Sequence, residues 1–177
     1  MGRAKALLLW RDEPFVAHCI GMAAAAGCAP IVVVSGAVEL PPAATRGATV
    51  VRNDAWERGQ MSSMQVGVRA TQGSPRAVVL LTVDRPHVSP QTVRELVAAS
   101  REAPRSVWQP SYEGRRGHPV LVPPDVAAMV IAAGPDVTLR DVLADPAVVS
   151  RRRSLPCADP AVRQNLDRPD DLALLPS

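Results

Sequence analysis

The sequence predicts an α/β domain with a mainly parallel sheet, on three observations. The run from Ala77 to Val83 is apolar except for Thr82 and rich in β-branched residues, the pattern of a strand buried on both faces. Strand-like stretches of this kind alternate with segments whose apolar residues recur at helical spacing. Several of the helical segments are opened by proline or a capping hydroxyl and closed by glycine, which marks where each begins and ends.

Residues 3 to 10 are short and apolar after a basic start. Pro14 opens a helix in which Phe15, Val16, Cys19, Ile20 and Ala23 share a face and Gly27 is the C-terminal cap. Ile31 to Val34 reads as a second buried strand, 37–47 as loop or poor helix around Pro41-Pro42, and 48–51 as a third strand ending near Asn53. Trp56 to Gly59 makes a turn, and Ser62 or Ser63 caps a helix running to about Ala70. After the central strand, Ser89 caps a helix with Pro90 in its first position and Val93, Leu96 and Val97 facing inward. The pattern continues with a strand at 105–109, a glycine- and arginine-rich loop at 112–118, and a short strand at 120–122. A helix over 124–133 closes at Gly134, a brief one spans 139–143, 147–155 reads as another strand, and 169–175 as a terminal helical turn. No repeat, low-complexity tract or linker divides the 177 residues, so one domain over 1–177 is expected.

The hydrophobic fraction of 47% suits a globular core, and no apolar run approaches the roughly 20 residues that span a bilayer, so no membrane is expected as a partner. The start of the chain lacks a signal-peptide pattern. Three widely spaced cysteines, Cys19, Cys28 and Cys157, fit reduced thiols in a cytoplasmic protein better than a disulfide frame or a zinc site. A net charge of +3 with only 3% aromatic residues gives no support for nucleic-acid binding, and Arg151-Arg-Arg153 reads as a solvated strand or turn. Among 20 lysines and arginines the only lysine is Lys5. A chain that uses arginine everywhere else and keeps one compact ammonium either needs it there or keeps it by chance.

The central run stops at Asp84, followed by Arg85 and Pro86. In open α/β sheets ligands bind beyond the carboxyl ends of strands, so Asp84 sits where chemistry is expected, although a solvated turn aspartate would look the same. His118 is as compatible with structure as with acceptor binding, whereas His18 and His87 read as structural.

Six stretches then occur in one order: Met1-Gly-Arg-Ala-Lys5-Ala-Leu, Trp56-Glu-Arg-Gly59-Gln-Met61-Ser-Ser63, Leu80-Leu-Thr-Val-Asp84-Arg-Pro86, Tyr112-Glu-Gly114-Arg-Arg-Gly-His-Pro-Val120, Leu139-Arg140-Asp-Val-Leu143 and Asn165-Leu-Asp167-Arg-Pro-Asp-Asp-Leu172. Together they resemble the MobA-like NTP transferases, the family of the molybdenum-cofactor cytidylyl- and guanylyltransferases. The resemblance implies a Rossmann-like three-layer nucleotidyltransferase domain. It implies transfer of NMP from an NTP, CTP or GTP, to a phosphorylated small-molecule acceptor such as molybdopterin, with pyrophosphate released. It also implies Mg2+ as cofactor, held by Asp84 with Asn165 or Asp167, and catalytic roles for Lys5 and Asp84. Asn53, Ser62 and Ser63 would line the nucleotide or acceptor side, and Arg116, Gly117 and His118 belong to the stretch that most resembles the cytidylyltransferase branch. A homodimer is compatible with the resemblance.

The sequence departs from that pattern in three places. Members of the family begin with a buried strand and a glycine-rich loop, whereas this sequence starts at Met1-Gly2, the tail of that motif. The fold is therefore expected to lack the usual first strand, leaving two inner strands facing a gap. Either Lys5 to Trp10 shifts to fill it, or the fold is compromised, or the protein starts upstream, which is the expectation drawn from the sequence. Arg85 and Arg168 stand where neutral residues are usual, and would compete with a cation for the carboxylates if they face the pocket. A non-catalytic scaffold or ligand-binding protein is the alternative these departures raise.

Overall fold

A computed structural model describes residues 4–71 and 77–176, so Met1 to Arg3 of the N-terminal motif lie outside the described residues. After a 3₁₀ turn at Lys5–Leu7, β1 (Leu9–Trp10) and β2 (Glu13–Pro14) form a small antiparallel hairpin. Helix α1 (Phe15–Ala25) leads to β3 (Val32–Ser35), and a 3₁₀ turn at Pro42–Thr45 leads to β4 (Thr49–Arg52), parallel to β3. Helix α2 (Gln60–Ala70), β5 (Val78–Leu80) and α3 (Pro90–Glu102) follow. Then come β6 (Val107–Tyr112), β7 (Arg115–Arg116), β8 (Val120–Val122), α4 (Pro124–Ala132), α5 (Leu139–Ala144), α6 (Pro146–Val149) and β9 (Arg152–Pro156). Two 3₁₀ turns, Pro160–Arg163 and Pro169–Leu174, end the chain.

In the larger sheet β5 and β6 both pair antiparallel with β8, and β6 pairs parallel with β9. Strands β5, β6 and β9 therefore share one direction and β8 alone opposes them, apart from the two-residue β7 that folds back on β6. The mainly parallel α/β expectation is met. Apolar residues pack on both faces. Leu80, Val120 and Val122 meet Met61, Val68, Val126 and Val130 on the α2–α4 side, and Met22, Val93 and Val162 form a second cluster that takes in α1 and α3.

Three local expectations need correction. Helix α2 is capped by Gly59, at φ 91°, and not by Ser62 or Ser63. Ser62 already lies in the first turn, and its hydroxyl donates back to the carbonyls of Gly59 (2.8 Å) and Ala55 (3.1 Å). The stretch 147–155 is not one strand, because Pro146 in a first helical position and the Asp145 cap on the Ala147 amide (2.8 Å) start α6 instead. The run 77–83 is not buried on both faces: Leu80 is buried, while Val78, Val79, Leu81 and Val83 are half-buried.

The cause is a gap. Among the described residues no backbone hydrogen bond joins β3 to β5. A cavity of about 1130 Å³ lies between them, walled by Val32–Val34 on one side and 77–83 on the other, and roofed and floored by α1 and α2. Two inner strands do face a gap, and the segment Lys5 to Trp10 does not fill it, because its residues form the 3₁₀ turn and the first arm of the hairpin.

Candidate active site

Asp84 is placed by the turn that ends the central run, where the Arg85 amide bonds the Thr82 carbonyl at 3.2 Å. Its own carbonyl accepts from the Leu166 amide at 2.9 Å, which lays the segment 165–167 alongside it. Pieces of chain some eighty residues apart thus meet at one strand end. The Lys5 ammonium bonds an Asp167 carboxylate oxygen, and the Asn165 amide donates to the other at 3.3 Å. The Arg85 guanidinium donates to the Asn165 carbonyl oxygen, to the Thr82 hydroxyl at 2.9 Å and toward an Asp84 carboxylate oxygen at 3.4 Å. Lys5, Asp167, Asn165, Arg85 and Asp84 therefore form one chain of contacts, and Lys5 and Asp84 both line the large cavity.

Burial differs along that chain. The side chains of Asp84 and Arg85 are 18% and 12% exposed, whereas that of Asp167 is 53% exposed. The hydrogen bond from Lys5 holds the Asp167 carboxyl below the usual carboxylate range. Burial pulls the Arg85 guanidinium down from its ordinary value, opposed by the charges of Asp84 and Asp167. Cys19 lies beneath this cluster with its thiol 3.9 Å from the Thr82 carbonyl, and burial, aided by Asp84, pushes it up to about 12, so it is an inert thiol.

Asn53, Ser62 and Ser63 come together in a knot of their own. The buried Asn53 amide donates to both serine hydroxyls (2.9 and 3.0 Å), and its oxygen accepts from the Ala55 amide at 3.0 Å. These bonds tie the end of β4 to the start of α2. Of the three, Ser63 also lines the cavity that Lys5 and Asp84 line.

The structure does not bring Arg116 and Gly117 to the cavity lining. The exposed Arg116 bonds the Ser154 hydroxyl at 2.8 Å, and Gly117 packs so tightly that a Cβ there would lie 2.2 Å from the Val162 carbonyl oxygen. His118, the next residue, does feel the site. Burial and then the Arg85 charge lower it to about 4, partly offset by Asp84, and its buried Nδ1 has no hydrogen-bond partner. It is neutral at pH 7. His87 holds Gln164 at 3.2 Å, and His18 bonds the Trp10 carbonyl at 2.7 Å.

Sequence reasoning left the orientation of Arg85 open, and the structure turns it inward. Arg168 is exposed, and its amide bonds Asp171 at 2.7 Å. Cys19 gave no sequence signal, since its position reads as the apolar face of a helix.

Among the described residues no three His, Cys, Asp or Glu side chains cluster as a metal cage. Asp84, Asp167 and the Asn165 carbonyl are nonetheless hard oxygen donors, and one or two carboxylates completed by phosphate and water is the way Mg2+ is commonly held. The donor set fits such an ion, with Arg85 and Lys5 as its internal competitors.

The family model described as the MobA-like NTP transferase domain matches residues 1–154. Rv0371C from Mycobacterium tuberculosis, solved in complex with manganese, superposes with a TM-score of 0.74 at 21% identity, covering 98% of this chain and 92% of that one. The 2-C-methyl-D-erythritol 4-phosphate cytidylyltransferase of Thermus thermophilus gives 0.68 at 16% identity, with 96% and 90% covered. The molybdopterin-guanine dinucleotide biosynthesis protein A of Archaeoglobus fulgidus gives 0.61 at 13% identity, with 98% and 89% covered. At these identities the likeness is one of fold. No curated protein compared with the sequence matches it significantly.

Proposed function

Since the chain belongs to the MobA-like NTP transferase family, we propose that it moves NMP from CTP or GTP to a phosphorylated small-molecule acceptor of the molybdopterin kind. The observation that carries this reading is the convergence of Lys5, Asp84, Asn165 and Asp167 at one strand end, where Lys5 and Asp84 line the large cavity. An oxygen of the acceptor phosphate attacks the α-phosphorus of the triphosphate. The bond from that phosphorus to the bridging oxygen breaks, and pyrophosphate leaves with the electron pair. The attacking oxygen is already anionic, so no general base is needed. What the site must supply is positive charge and in-line placement.

Lys5 supplies a point charge to the phosphates once it leaves Asp167. Asp84, Asn165 and Asp167 would hold Mg2+, or the manganese seen with the mycobacterial relative of the same fold; such an ion, when bound, neutralises phosphate oxygens as a Lewis acid. His118, uncharged at neutral pH, offers an imidazole nitrogen for a hydrogen bond and not a charge. The three free cysteines suit a reducing compartment, and the reading includes a cytoplasmic location. No helix among the described residues is long and apolar enough to cross a membrane.

A second reading, a ligand-binding relative without turnover, is favoured by one observation: Arg85 already occupies oxygens of Asp84 and Asn165. Calorimetric titration with CTP and GTP, each with Mg2+ or Mn2+, tests the proposal. One triphosphate should bind, and Asp84→Ala should weaken binding by roughly a hundredfold with the circular dichroism unchanged. Binding without pyrophosphate release on adding the phosphorylated acceptor would favour the second reading. No heat with any triphosphate would overturn the first.

A further inference from the structure

We infer that Asp159 is a positioning residue for the candidate active site, fixing the arm that carries Asn165 and Asp167 against the segment that begins at Asp84. The inference rests on the reading of Asp84, Asn165 and Asp167 as the oxygens that hold a cation. The stretches 84–89 and 159–166 run antiparallel to each other and are tied along their length. At the near end the Leu166 amide donates to the Asp84 carbonyl at 2.9 Å. In the middle His87 Nε2 meets the Gln164 side-chain oxygen at 3.2 Å. At the far end one oxygen of the Asp159 carboxylate accepts from the Ser89 amide (2.8 Å) and from the hydroxyl of the buried Thr92 (2.9 Å), at the start of α3. Its other oxygen accepts from the Ala161 amide at 3.0 Å.

A rigid carboxylate thus grips α3 with one oxygen and its own arm with the other. Apolar packing does not do this work. Val162 and Leu166 are fully buried and hold the arm down, but apolar contact has no direction and leaves the register along 84–89 free to slip. Hydrogen bonds to two different elements set that register, because their geometry is narrow.

The effect reaches the site because Asn165 and Asp167 flank Leu166, whose amide sits on the Asp84 carbonyl. Arg85 also holds Asn165, but a cation that takes the Asn165 oxygen displaces that guanidinium. The arm then depends on its ties at Leu166, Gln164 and Asp159. The same arm supports His118, whose amide donates to the Val162 carbonyl at 2.9 Å. Asp159 bonds none of Lys5, Asp84, Asn165 or Asp167, so it acts on them through the arm.

The test uses the whole protein and Mn2+ alone. Asp159→Asn keeps the volume but turns one accepting oxygen into a donor, so one of the two grips is lost. Electron paramagnetic resonance of free Mn2+ should show affinity weakened by roughly tenfold, the lower end for groups that orient metal ligands from behind. In the metal-free protein the Leu166 amide should exchange with deuterium faster than in the parent. Thr92→Val removes a single bond to the carboxylate at similar shape and should weaken Mn2+ binding roughly two- to fivefold; it carries the test where Asp159→Asn does not fold. Val126→Ala, in the core on the α2–α4 side of the sheet and away from the arm, should lower the melting temperature and leave Mn2+ affinity unchanged. Unchanged affinity in the arm variant, a parent-like exchange rate at Leu166, or equal weakening by Val126→Ala would overturn the inference and leave the metal set standing. A parent that binds no Mn2+ would overturn the metal set itself, and the inference with it.

Discussion

Arg85 holds oxygens of Asp84 and Asn165 at once, which makes it the residue that decides how open the site is to another cation. A unit charge removed from about 4 Å away is worth up to about 4 kcal/mol at a surface-like dielectric, so Arg85→Gln should raise Mn2+ affinity, by roughly tenfold or more. Electron paramagnetic resonance of free Mn2+ reads this directly, and unchanged affinity would mean that Arg85 does not compete for the carboxylates. Lys5 poses the complementary question. Lys5→Arg keeps the charge and replaces a compact ammonium by a planar fork, so turnover should fall; unchanged turnover would show the lone lysine to be incidental. His118 sets a pH dependence. Its folded value of about 4 lies below the 6.5 of a free histidine, so between these pH values the unfolded chain binds the extra proton and stability falls as pH falls. At pH 5 the loss relative to pH 7 is about 2 kcal/mol, or some 4–8 °C in Tm. Melting curves should show it, and His118→Gln should flatten the slope.

At the scale of elements, the hairpin from β6 through β7 to β8 depends on a close approach. Gly117 donates to the Pro110 carbonyl at 2.8 Å, and a Cβ there would meet three atoms of Val162 within 2.9 Å, two of them backbone. Backbone cannot yield as a flexible side chain can. Gly117→Ala should therefore cost about 3 kcal/mol, lowering Tm by roughly 6–12 °C; calorimetry checks it, and a shift near zero would mean that the 160–163 turn is free to move. The sequence showed a glycine in a motif but not why it was there, because the clash is with a residue forty-five positions away.

For the whole molecule, the consequence of the gap is uneven stability. Among the described residues no backbone hydrogen bonds connect the β3–β4 pair to the five-stranded sheet, so side-chain packing holds the two together. Local opening costs least where few hydrogen bonds and buried contacts must break. Native-state hydrogen exchange should find amides of Val32–Ser35 and Thr49–Arg52 exchanging faster than those of Val107–Tyr112, with lower opening free energies. Equal protection across both sheets would show that they open as one unit.

Much of this was legible in the chain. The apolar run 77–83 announced a strand, although only Val78–Leu80 forms it and Asp84 lies in the turn beyond, and the spacing of Pro90, Pro124 and the helix-closing glycines set the α/β alternation, because buried strands and capped helices write their periods into neighbouring residues. The motif order also pointed to Lys5, Asp84, Asn165 and Asp167. What neighbours in sequence cannot carry is the meeting of distant segments. Only the tertiary structure turned Arg85 inward, brought Lys5 onto Asp167, tied Asn53 to Ser62 and Ser63, and took Arg116 and Gly117 away from the cavity. The physical reason is that these are contacts between side chains far apart along the chain, settled by how helices and strands pack and by which buried charges find partners.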